Sequence, residues 1–325
     1  MEVADSESAR LVFGPVPSRR LGRSLGINNV PAKTCSYSCV YCQLGKTVNV
    51  TTRRQAFYKP QDIFKMVKLK IDKAVSRSER VDYLTFVPDG EPTLDINLGK
   101  IISLLKQIGI PIAVVTNTSL ISRDDVKEDL MNADLVSFKI DAVSEDLWRR
   151  ANRPHRNLEL TVILEGLIDF ADKFKGSIIS ETMLMDRMNY ENEFQDAAGF
   201  LKHLKRLDKA YIAIPTRPPT EKRVKPADEK TVNAVFRIFT EKLGQDRVEY
   251  LIGYEGNAFA STGRIKEDLL SIMAVHPMRE EAVTEFLRKA DADWHIVEEL
   301  LGKHELIELE YEGYRYYMRK IASRR

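Results

Sequence analysis

Cysteine is scarce in this 325-residue chain, and its three cysteines, Cys35, Cys39 and Cys42, lie within eight residues of one another. An odd number of thiols at this spacing excludes a disulfide framework, and the polar first ten residues lack the basic and apolar pattern of a secretory signal. We therefore expect a reducing, cytoplasmic setting. Core cysteines are usually scattered along a chain, so the clustering indicates a functional site.

Long apolar runs and an excess of charge of one sign are also missing. The chain has no run of about 18 apolar residues, so we expect no membrane-spanning helix. Fifty Lys and Arg against 48 Asp and Glu give a formal net charge of +2, which predicts no overall attraction to nucleic acid. With 43% hydrophobic and 30% charged residues, the composition is typical of a folded protein with a substantial core.

The sequence does contain a repeated alternation of short apolar runs with longer helical patterns. Strands are predicted at 24–28, 82–87, 111–116, 135–140, 177–185, 209–214 and 249–252. Helices are predicted at 60–77, 97–108, 123–132, 157–174, 191–206 and 226–242. Because parallel strands need crossover connections, this α/β series predicts either a complete or partial TIM-like barrel or a doubly wound sheet. In both folds, ligands bind at the C-terminal ends of the strands.

The pattern changes after about residue 264. Helical segments at 265–273, 277–289 and 292–302 precede a hairpin, 305–310 and 314–321, whose turn is Glu312-Gly313. This order resembles a small winged-helix module. The helix that would read DNA carries Asp293, Glu298 and Glu299, which argues against DNA binding because they would repel phosphates. We therefore divide the chain into a flexible N-terminus (1–11), a barrel domain (12–262) and a winged-helix-like domain (263–325).

The cysteines have the spacing C-x3-C-x2-C, on a loop that follows the strand predicted at 24–28. Soft thiolates select zinc or iron-sulfur clusters. A closed zinc site needs a fourth ligand, and the five histidines all lie more than a hundred residues further along. A cubane cluster has four irons, so three cysteines leave one iron open to a substrate or cofactor.

These residues resemble the loop of the radical S-adenosylmethionine (SAM) superfamily, which usually has an aromatic residue before the third cysteine, here Tyr41. The resemblance implies one 4Fe-4S cluster with SAM as the ligand of the open iron. A second segment, at 86–94, resembles the family's G-G-E-P-T-L motif, whose backbone and Glu accept hydrogen bonds from the SAM ammonium. Asp89 replaces the first Gly, so the match covers Gly90, Glu91 and Pro92. The alternative for this segment is an ordinary turn.

Polar residues also end the next two predicted strands. Alternation places Ser137, Lys139 and Asp141 on one face, and Asn117 ends the strand before them. In similar enzymes such residues bind the ribose and carboxylate of SAM, so these four are candidate SAM-binding residues. The alternative is a Lys139–Asp141 ion pair or solvation. The segment 177–185 lacks the family's adenine-contact pattern, and no role is assigned to it.

Six arginines are predicted on loops or near strand ends, where a guanidinium can clamp a carboxylate or phosphate, or simply belong to the charged surface. They are Arg19, Arg20, Arg23, Arg153, Arg217 and Arg223. His155 and His276 are interpreted as structural rather than as acid–base groups.

Longer stretches resemble a radical SAM group that is related to, but distinct from, the tRNA wyosine synthases. They lie at 14–27, 152–155, 216–219, 255–257 and 276–278. The resemblance favours a partial (β/α)6-type TIM-like barrel as the fold. No further cysteine remains for a second, auxiliary cluster.

The resemblance implies an enzyme that reductively cleaves SAM to a 5'-deoxyadenosyl radical, which abstracts hydrogen from a small molecule, a peptide or tRNA. An electron donor such as ferredoxin or flavodoxin is then a partner. Two alternatives stay open: a tRNA-modifying enzyme of the wyosine-synthase type, and a non-catalytic Fe-S or zinc protein.

Overall fold

A computed structural model describes residues 11–320, except 191, 254, 255, 258 and 262. The predicted N-terminal segment therefore lies, apart from Leu11, outside the described residues. The same holds for Glu255 of the 255–257 stretch and for the last five residues of the predicted C-terminal domain.

The central element is an eight-stranded sheet with the order β1-β2-β5-β6-β7-β8-β9-β10. From β2 to β10 the neighbours are parallel, whereas β1 pairs antiparallel with β2. The short strands β3 and β4 form a separate parallel pair. These strands are β1 (Val12–Ser18), β2 (Gly22–Ile27), β3 (Thr34–Cys35), β4 (Asn49–Val50), β5 (Tyr83–Phe86), β6 (Ile112–Thr116), β7 (Leu135–Lys139), β8 (Ser177–Met183), β9 (Leu207–Ala213) and β10 (Val248–Leu251).

Helices connect the parallel strands, as crossover connections require. They are α1 (Pro60–Ser76), α2 (Leu98–Leu105), α3 (Asp124–Leu130), α4 (Glu145–Asn152), α5 (Leu160–Lys173), α6 (Glu193–Lys202) and α7 (Glu229–Leu243). Single turns of 3-10 helix lie at Pro92–Leu94, Lys106–Ile108 and Gln245–Arg247. Among the described residues, no helix is both long and apolar enough to cross a membrane.

The two faces of the sheet differ in character. Phe86 and Phe138 are fully buried in the large core that the helices share, and the Phe138 ring packs edge-on against Phe170 with centroids 5.6 Å apart. The other face carries polar contacts, such as that of Ser24 Oγ, which donates to Thr85 Oγ1 at 2.6 Å, beside a smaller apolar cluster that includes Leu135 and Ile179. The alternation predicted for β7 is thus confirmed, since Phe138 faces the helices.

The sheet is strongly curved. Arg20, just before β2, hydrogen-bonds to Ser137 on β7 and forms an ion pair with Glu181 on β8. In a flat sheet, four strand spacings of about 4.8 Å would separate β2 from β8, which is beyond the reach of one arginine. Arg19 likewise donates to the carbonyl of Gly253, just after β10 at the opposite edge. This curvature supports the predicted partial barrel.

The seven predicted strands and the helices between them are confirmed within a few residues, but the strands β1, β3 and β4 and the helix α4 were not predicted. Strand β1 contains Pro15 and Pro17, and it lies at an edge of the sheet, where proline is tolerated. Helix α4 is only eight residues long and largely polar. The parallel part of the sheet comprises six strand–helix units, from β2 to α7, followed by the seventh parallel strand β10. The cysteine loop follows β2, which is the strand predicted at 24–28.

The C-terminal segment forms three helices and a three-stranded antiparallel sheet in the order β11-β13-β12. Its elements are α8 (Ile265–Val275), β11 (Met278–Arg279), α9 (Glu280–Lys289), α10 (His295–Gly302), β12 (Leu306–Tyr311) and β13 (Tyr314–Arg319). The predicted helices and hairpin are present, and β11 is additional. Phe13 and Val16 of β1 lie in one hydrophobic cluster with Leu269, Met273 and Phe286, so this segment shares a core with the main sheet.

A buried ion pair adds to this contact. Lys70 Nζ of α1 lies 3.0 Å from Asp268 Oδ1 of α8, and the Asp268 side chain is 2% exposed. Ser261 Oγ donates to the other carboxylate oxygen at 3.1 Å. Removing one partner of such a pair leaves an uncompensated buried charge.

We predict that Asp268→Asn lowers the free energy of unfolding by about 3 kcal/mol, because Lys70 then stays buried without its counter-ion. The exposed Lys266–Glu299 pair provides the control, and Glu299→Gln should destabilise the protein far less, because water and salt screen exposed charges. Urea denaturation measures the free energy of unfolding of both variants, and equal m values are required for the comparison. Equal losses for the two variants would contradict the importance of the buried pair.

Candidate functional site

The cysteine loop lies at the C-terminal edge of the parallel sheet. Cys35 ends β3, while Cys39 and Cys42 follow in irregular backbone; all three are half-buried and unbridged. The loop touches residues that follow several parallel strands, as the next contacts show. Polar groups from different strands meet at this edge because parallel strands all end there.

Helix α4, which was not predicted, anchors the loop. The Ser38 amide donates to the carbonyl of Asn152 at 3.1 Å, and the Val40 amide donates to that of Ala151 at 3.0 Å. Trp148 Nε1 donates to the hydroxyl of buried Tyr37 at 3.1 Å. These bonds fix a segment that has little regular structure of its own.

Two thiols accept hydrogen bonds from asparagine amides. Asn117 Nδ2 lies 3.4 Å from Cys35 Sγ, and Asn152 Nδ2 lies 3.5 Å from Cys39 Sγ. Burial, followed by the nearby Glu91, raises the pKa of Cys35 well above its ordinary value. Burial, followed by the nearby Cys42, raises the pKa of Cys39 to about 12. Thiolates in this setting need a bound cation for compensation, which suits a metal-binding donor set.

The arrangement of the three thiols helps to distinguish a site for a single metal ion from a site for a metal cluster. Within the described residues, no three His, Cys, Asp or Glu side chains are grouped as ligands of one metal ion. In a cubane, each cysteine binds a different iron, so its three sulfurs need not converge on one point. Three soft ligands on one anchored loop fit such a cluster.

The segment around Gly90 packs directly on the strand that carries Cys35. A Cβ at Gly90 would lie 1.9 Å from the Thr34 carbonyl oxygen, so no side chain fits there. The Glu91 amide donates to the same oxygen at 3.0 Å, and the Lys33 amide donates to the Asp89 carbonyl at 2.7 Å. The backbone of 89–91 is thereby held against the cysteine loop.

Glu91 is 1% exposed, and its carboxylate joins two strand ends. Oε1 accepts from Thr93 N at 3.1 Å, from Thr93 Oγ1 at 2.6 Å and from Thr116 Oγ1 at 2.6 Å. Oε2 accepts from the Asn117 amide at 2.8 Å. Burial raises the pKa of Glu91 despite these donors. Oε1 accepts three of these hydrogen bonds and Oε2 accepts one, so Oε2 has capacity for a further donor.

Asn117 couples the two predicted motifs. Its backbone amide binds Glu91, while its side-chain amide donates to Cys35 Sγ and, at 2.9 Å, to Ser36 Oγ. The end of β6 therefore connects the cysteine loop to the segment around Gly90.

A second polar group lies on the other side of the loop. The Tyr41 hydroxyl hydrogen-bonds to Asp141, and Asn152 Nδ2 lies 2.6 Å from Asp141 Oδ2 and 3.0 Å from the Tyr41 oxygen. The Met183 amide donates to Asp141 Oδ1 at 2.9 Å. Burial, followed by Asp141, raises the pKa of Tyr41 well above its ordinary value. Tyr41 and Asp141 are thus brought together beside Cys39.

Lys139 forms an ion pair with Glu181, while its Nζ is 3.8 Å from Asp141 Oδ1 and 5.0 Å from the centre of the Tyr41 ring. Burial acts to lower the pKa of Lys139, but Glu181 and Asp141 outweigh it and the pKa is raised. For Glu181, burial is outweighed by Lys139 and Arg20, which bring its pKa to about 2. Lys139 and Glu181 are therefore both charged at neutral pH.

The sequence did not identify Glu181, Arg20 and Asn152 as members of this network. Glu181 stands directly opposite Lys139 in the β7–β8 register, so pairing the two predicted strands would have revealed it. Ser137, two residues earlier on β7, accepts from Arg20 Nη1 at 3.3 Å, deeper on the concave face. Asn152 had no distinguishing signal beyond its place in the 152–155 stretch.

The chain is similar to one protein family and to several known proteins. The model of the radical SAM superfamily matches residues 29–201. UPF0026 protein MJ1312 of Methanocaldococcus jannaschii is 49% identical over 315 residues, which are 97% of each chain. UPF0026 protein slr1464 of Synechocystis is 36% identical over 64% of this chain and 76% of its own.

Solved structures show the same fold. A radical SAM methyltransferase from Sphaerobacter thermophilus has a TM-score of 0.53 and 14% identity, over 70% of this chain and 66% of that one. TYW1 with a lysine-pyruvate adduct has a TM-score of 0.51 and 16% identity, over 67% and 73%. The family match spans more than half of the chain and includes the cysteine loop. The chain belongs to the radical SAM superfamily.

Proposed function

We propose that the chain is an enzyme that holds one 4Fe-4S cluster through Cys35, Cys39 and Cys42 and binds SAM at the iron without a cysteine ligand. The observation that supports this proposal most strongly is the pair of contacts made by Asn117, which joins the cysteine loop to Glu91. Two segments that resemble the family's cluster-binding and SAM-binding motifs are thus in direct contact. A turn unrelated to the cysteines would have no reason to be fixed against them.

Cys35, Cys39 and Cys42 would hold the cluster, which would supply the electron for reductive cleavage of SAM to methionine and a 5'-deoxyadenosyl radical, and this radical would abstract hydrogen from the substrate. Ferredoxin or flavodoxin is the proposed class of electron donor. The chain's own residues hold the loop in place and give amide donors to two of its thiols, those of Cys35 and Cys39. The buried loop limits the access of water to the reactive centre.

The proposed SAM-binding residues fall into two groups around the cysteine loop. Gly90, Glu91, Pro92 and Asn117 would receive the amino end of SAM, since backbone and carboxylate acceptors gather there. Tyr41, Lys139 and Asp141 lie beside Cys39 and would contact its carboxylate or ribose, with Lys139 supplying positive charge. Ser137 would act through Arg20 at the base of this group.

The proposal also covers the cellular setting of the protein and the role of its C-terminal segment. Three unbridged thiols support a reducing, cytoplasmic setting. The order of helices and the hairpin supports a winged-helix-like module, with no DNA-binding role because Glu298 and Glu299 lie on its third helix. Since this module shares a core with β1, we propose that it completes the barrel domain rather than acting alone.

Changing all three cysteines to alanine should abolish iron and sulfide uptake, because no other cysteine exists in the chain. Anaerobic reconstitution followed by iron and sulfide analysis should give about four of each per wild-type chain. Ser38→Ala, in the same loop, is the control and should retain the wild-type metal content. A triple variant that still took up four irons, or a wild type that took up one zinc, would disprove the assignment.

Lys139→Gln should weaken SAM binding about 10- to 100-fold with unchanged iron content, because a charge-assisted contact worth about 1.5–3 kcal/mol is lost. Equilibrium binding of SAM to the anaerobic, reconstituted protein measures this. Lys209→Gln removes the same charge from the exposed ion pair between Lys209 on β9 and Glu249 on β10, and should leave SAM affinity unchanged. If Lys139→Gln lowered stability but left SAM affinity unchanged, Lys139 would act only through its ion pair with Glu181 and would not bind SAM.

A further inference from the structure

Asn152, the last residue of helix α4, is a buried side chain that contacts the cysteine loop directly and belongs to neither proposed SAM-binding group. It is 2% exposed. Its backbone carbonyl accepts from the Ser38 amide at 3.1 Å, and its side-chain Nδ2 lies 3.5 Å from Cys39 Sγ. One residue therefore holds the loop twice, once through the backbone next to Cys39 and once at the thiol itself.

A carboxylate fixes the orientation of the Asn152 side-chain amide. Nδ2 lies 2.6 Å from Asp141 Oδ2, and the Met183 amide holds the other oxygen of the same carboxylate at 2.9 Å. Because carboxylate oxygens accept hydrogen bonds, the atom that faces Asp141 is the amide nitrogen and not the amide oxygen. The NH2 group of Asn152 therefore points towards Asp141 and Cys39.

The two hydrogens of this NH2 group have different partners. One is directed to Asp141, and the other is shared between Cys39 Sγ at 3.5 Å and the Tyr41 oxygen at 3.0 Å. The Tyr41 hydroxyl gives its own hydrogen to Asp141, so its oxygen is an acceptor here. A thiolate, the form in which cysteine binds a metal, is a stronger acceptor than a neutral phenol. Metal binding by Cys39 thus favours the hydrogen bond to sulfur.

Burial makes this hydrogen bond effective. Asn152 and Asp141 are 2% and 5% exposed, so little water competes for the amide. In a low dielectric, a hydrogen bond to a charged group is stronger than in water. Reduction of an iron-sulfur cluster adds negative charge, which its cysteine sulfurs share, and hydrogen bonds to those sulfurs are one determinant of its potential. A donor at sulfur favours the more negative, reduced form.

We propose that Asn152 is a positioning residue that raises the reduction potential of the cluster through the hydrogen bond from its side-chain amide to the sulfur of Cys39. This inference rests on the proposed function, because it requires a cluster on the three cysteines. The step concerned is the transfer of one electron from a reduced donor of the ferredoxin or flavodoxin class, which is oxidised, to the cluster, which is reduced. A higher potential makes this transfer more favourable.

The test uses the full-length protein, anaerobically reconstituted, with dithionite as the reductant. A redox titration followed by electron paramagnetic resonance gives the midpoint potential of the cluster. Asn152→Leu has a side chain of similar size that donates no hydrogen bond, so it should lower the midpoint with unchanged iron content. We expect the equilibrium constant for one-electron reduction to fall about threefold to tenfold, the worth of one hydrogen bond. A tenfold change corresponds to about 59 mV.

Trp148→Phe is the matched control. It removes another hydrogen bond from α4 to the same loop, that of Trp148 Nε1 to the Tyr37 hydroxyl, which does not involve Cys39. It should therefore lower stability and leave the midpoint potential unchanged. If Asn152→Leu takes up less iron than the wild type, Asn152→Ala carries the test, because its smaller side chain also lacks a donor and has no bulk to displace the loop.

A second measurement detects the hydrogen bond without relying on the potential. Protein labelled with nitrogen-15 in its asparagine side chains should show nitrogen-15 coupling to the reduced cluster by pulsed electron paramagnetic resonance. The coupling should weaken in the Asn152 variant, where Asn117 near Cys35 is left as a source. A labelled wild type with no such coupling would contradict the hydrogen bond even if neither variant bound a cluster.

Two further results would overturn the inference. One is an unchanged or raised midpoint potential in an Asn152 variant with full iron content. The other is an equal lowering by Trp148→Phe, which would show that α4 acts only by anchoring the loop. A wild type that takes up no cluster refutes the proposed function, whereas a wild type with about four irons and an Asn152 variant of unchanged potential refutes this inference alone.

Discussion

The structure depends on holding an irregular, cysteine-bearing loop in one position at the edge of a sheet. Regular structure cannot do this, because the loop contributes only the two-residue strand β3. Buried hydrogen bonds do it instead, through Asn117 and Glu91 on one side and α4 on the other. Since buried polar groups are costly when unpaired, each of these bonds favours a single arrangement of the thiols.

The same constraint explains the character of the surrounding residues. Glu91 and Asp141 are nearly inaccessible, and both accept backbone amides as well as side-chain donors. Lys139 and Glu181 retain their charges because each has the other nearby. A site built this way is formed before any ligand arrives, which suits chemistry that must exclude water.

The C-terminal segment belongs to this architecture rather than being attached to it. Its helix α8 packs on β1, and Gln43 of the cysteine loop donates to the carbonyl of Val275 at the end of α8. The predicted boundary at residue 262 describes a change of sequence pattern, whereas the apolar core continues across it. The C-terminal segment therefore helps to hold the cysteine loop in place.

Much of this could be predicted from periodicity and spacing. The parallel strands follow from their apolar runs, and the cysteine loop follows from three thiols within eight residues. The contacts that position the site could not be predicted, because they join residues far apart in sequence: Asn152 and Cys39 are 113 residues apart. Likewise, Arg20 and Glu181 meet only because the sheet is curved, a property of the assembled strands rather than of any local pattern.

The central claim is that three cysteines hold a cluster with one iron open to SAM. Electron paramagnetic resonance of the dithionite-reduced, reconstituted protein, recorded with and without SAM, tests it most directly. Direct ligation predicts that SAM changes the g values of the cluster signal, and that the signal is absent from the Cys→Ala triple variant. A wild-type spectrum that SAM leaves unchanged, despite saturating binding, would contradict the account.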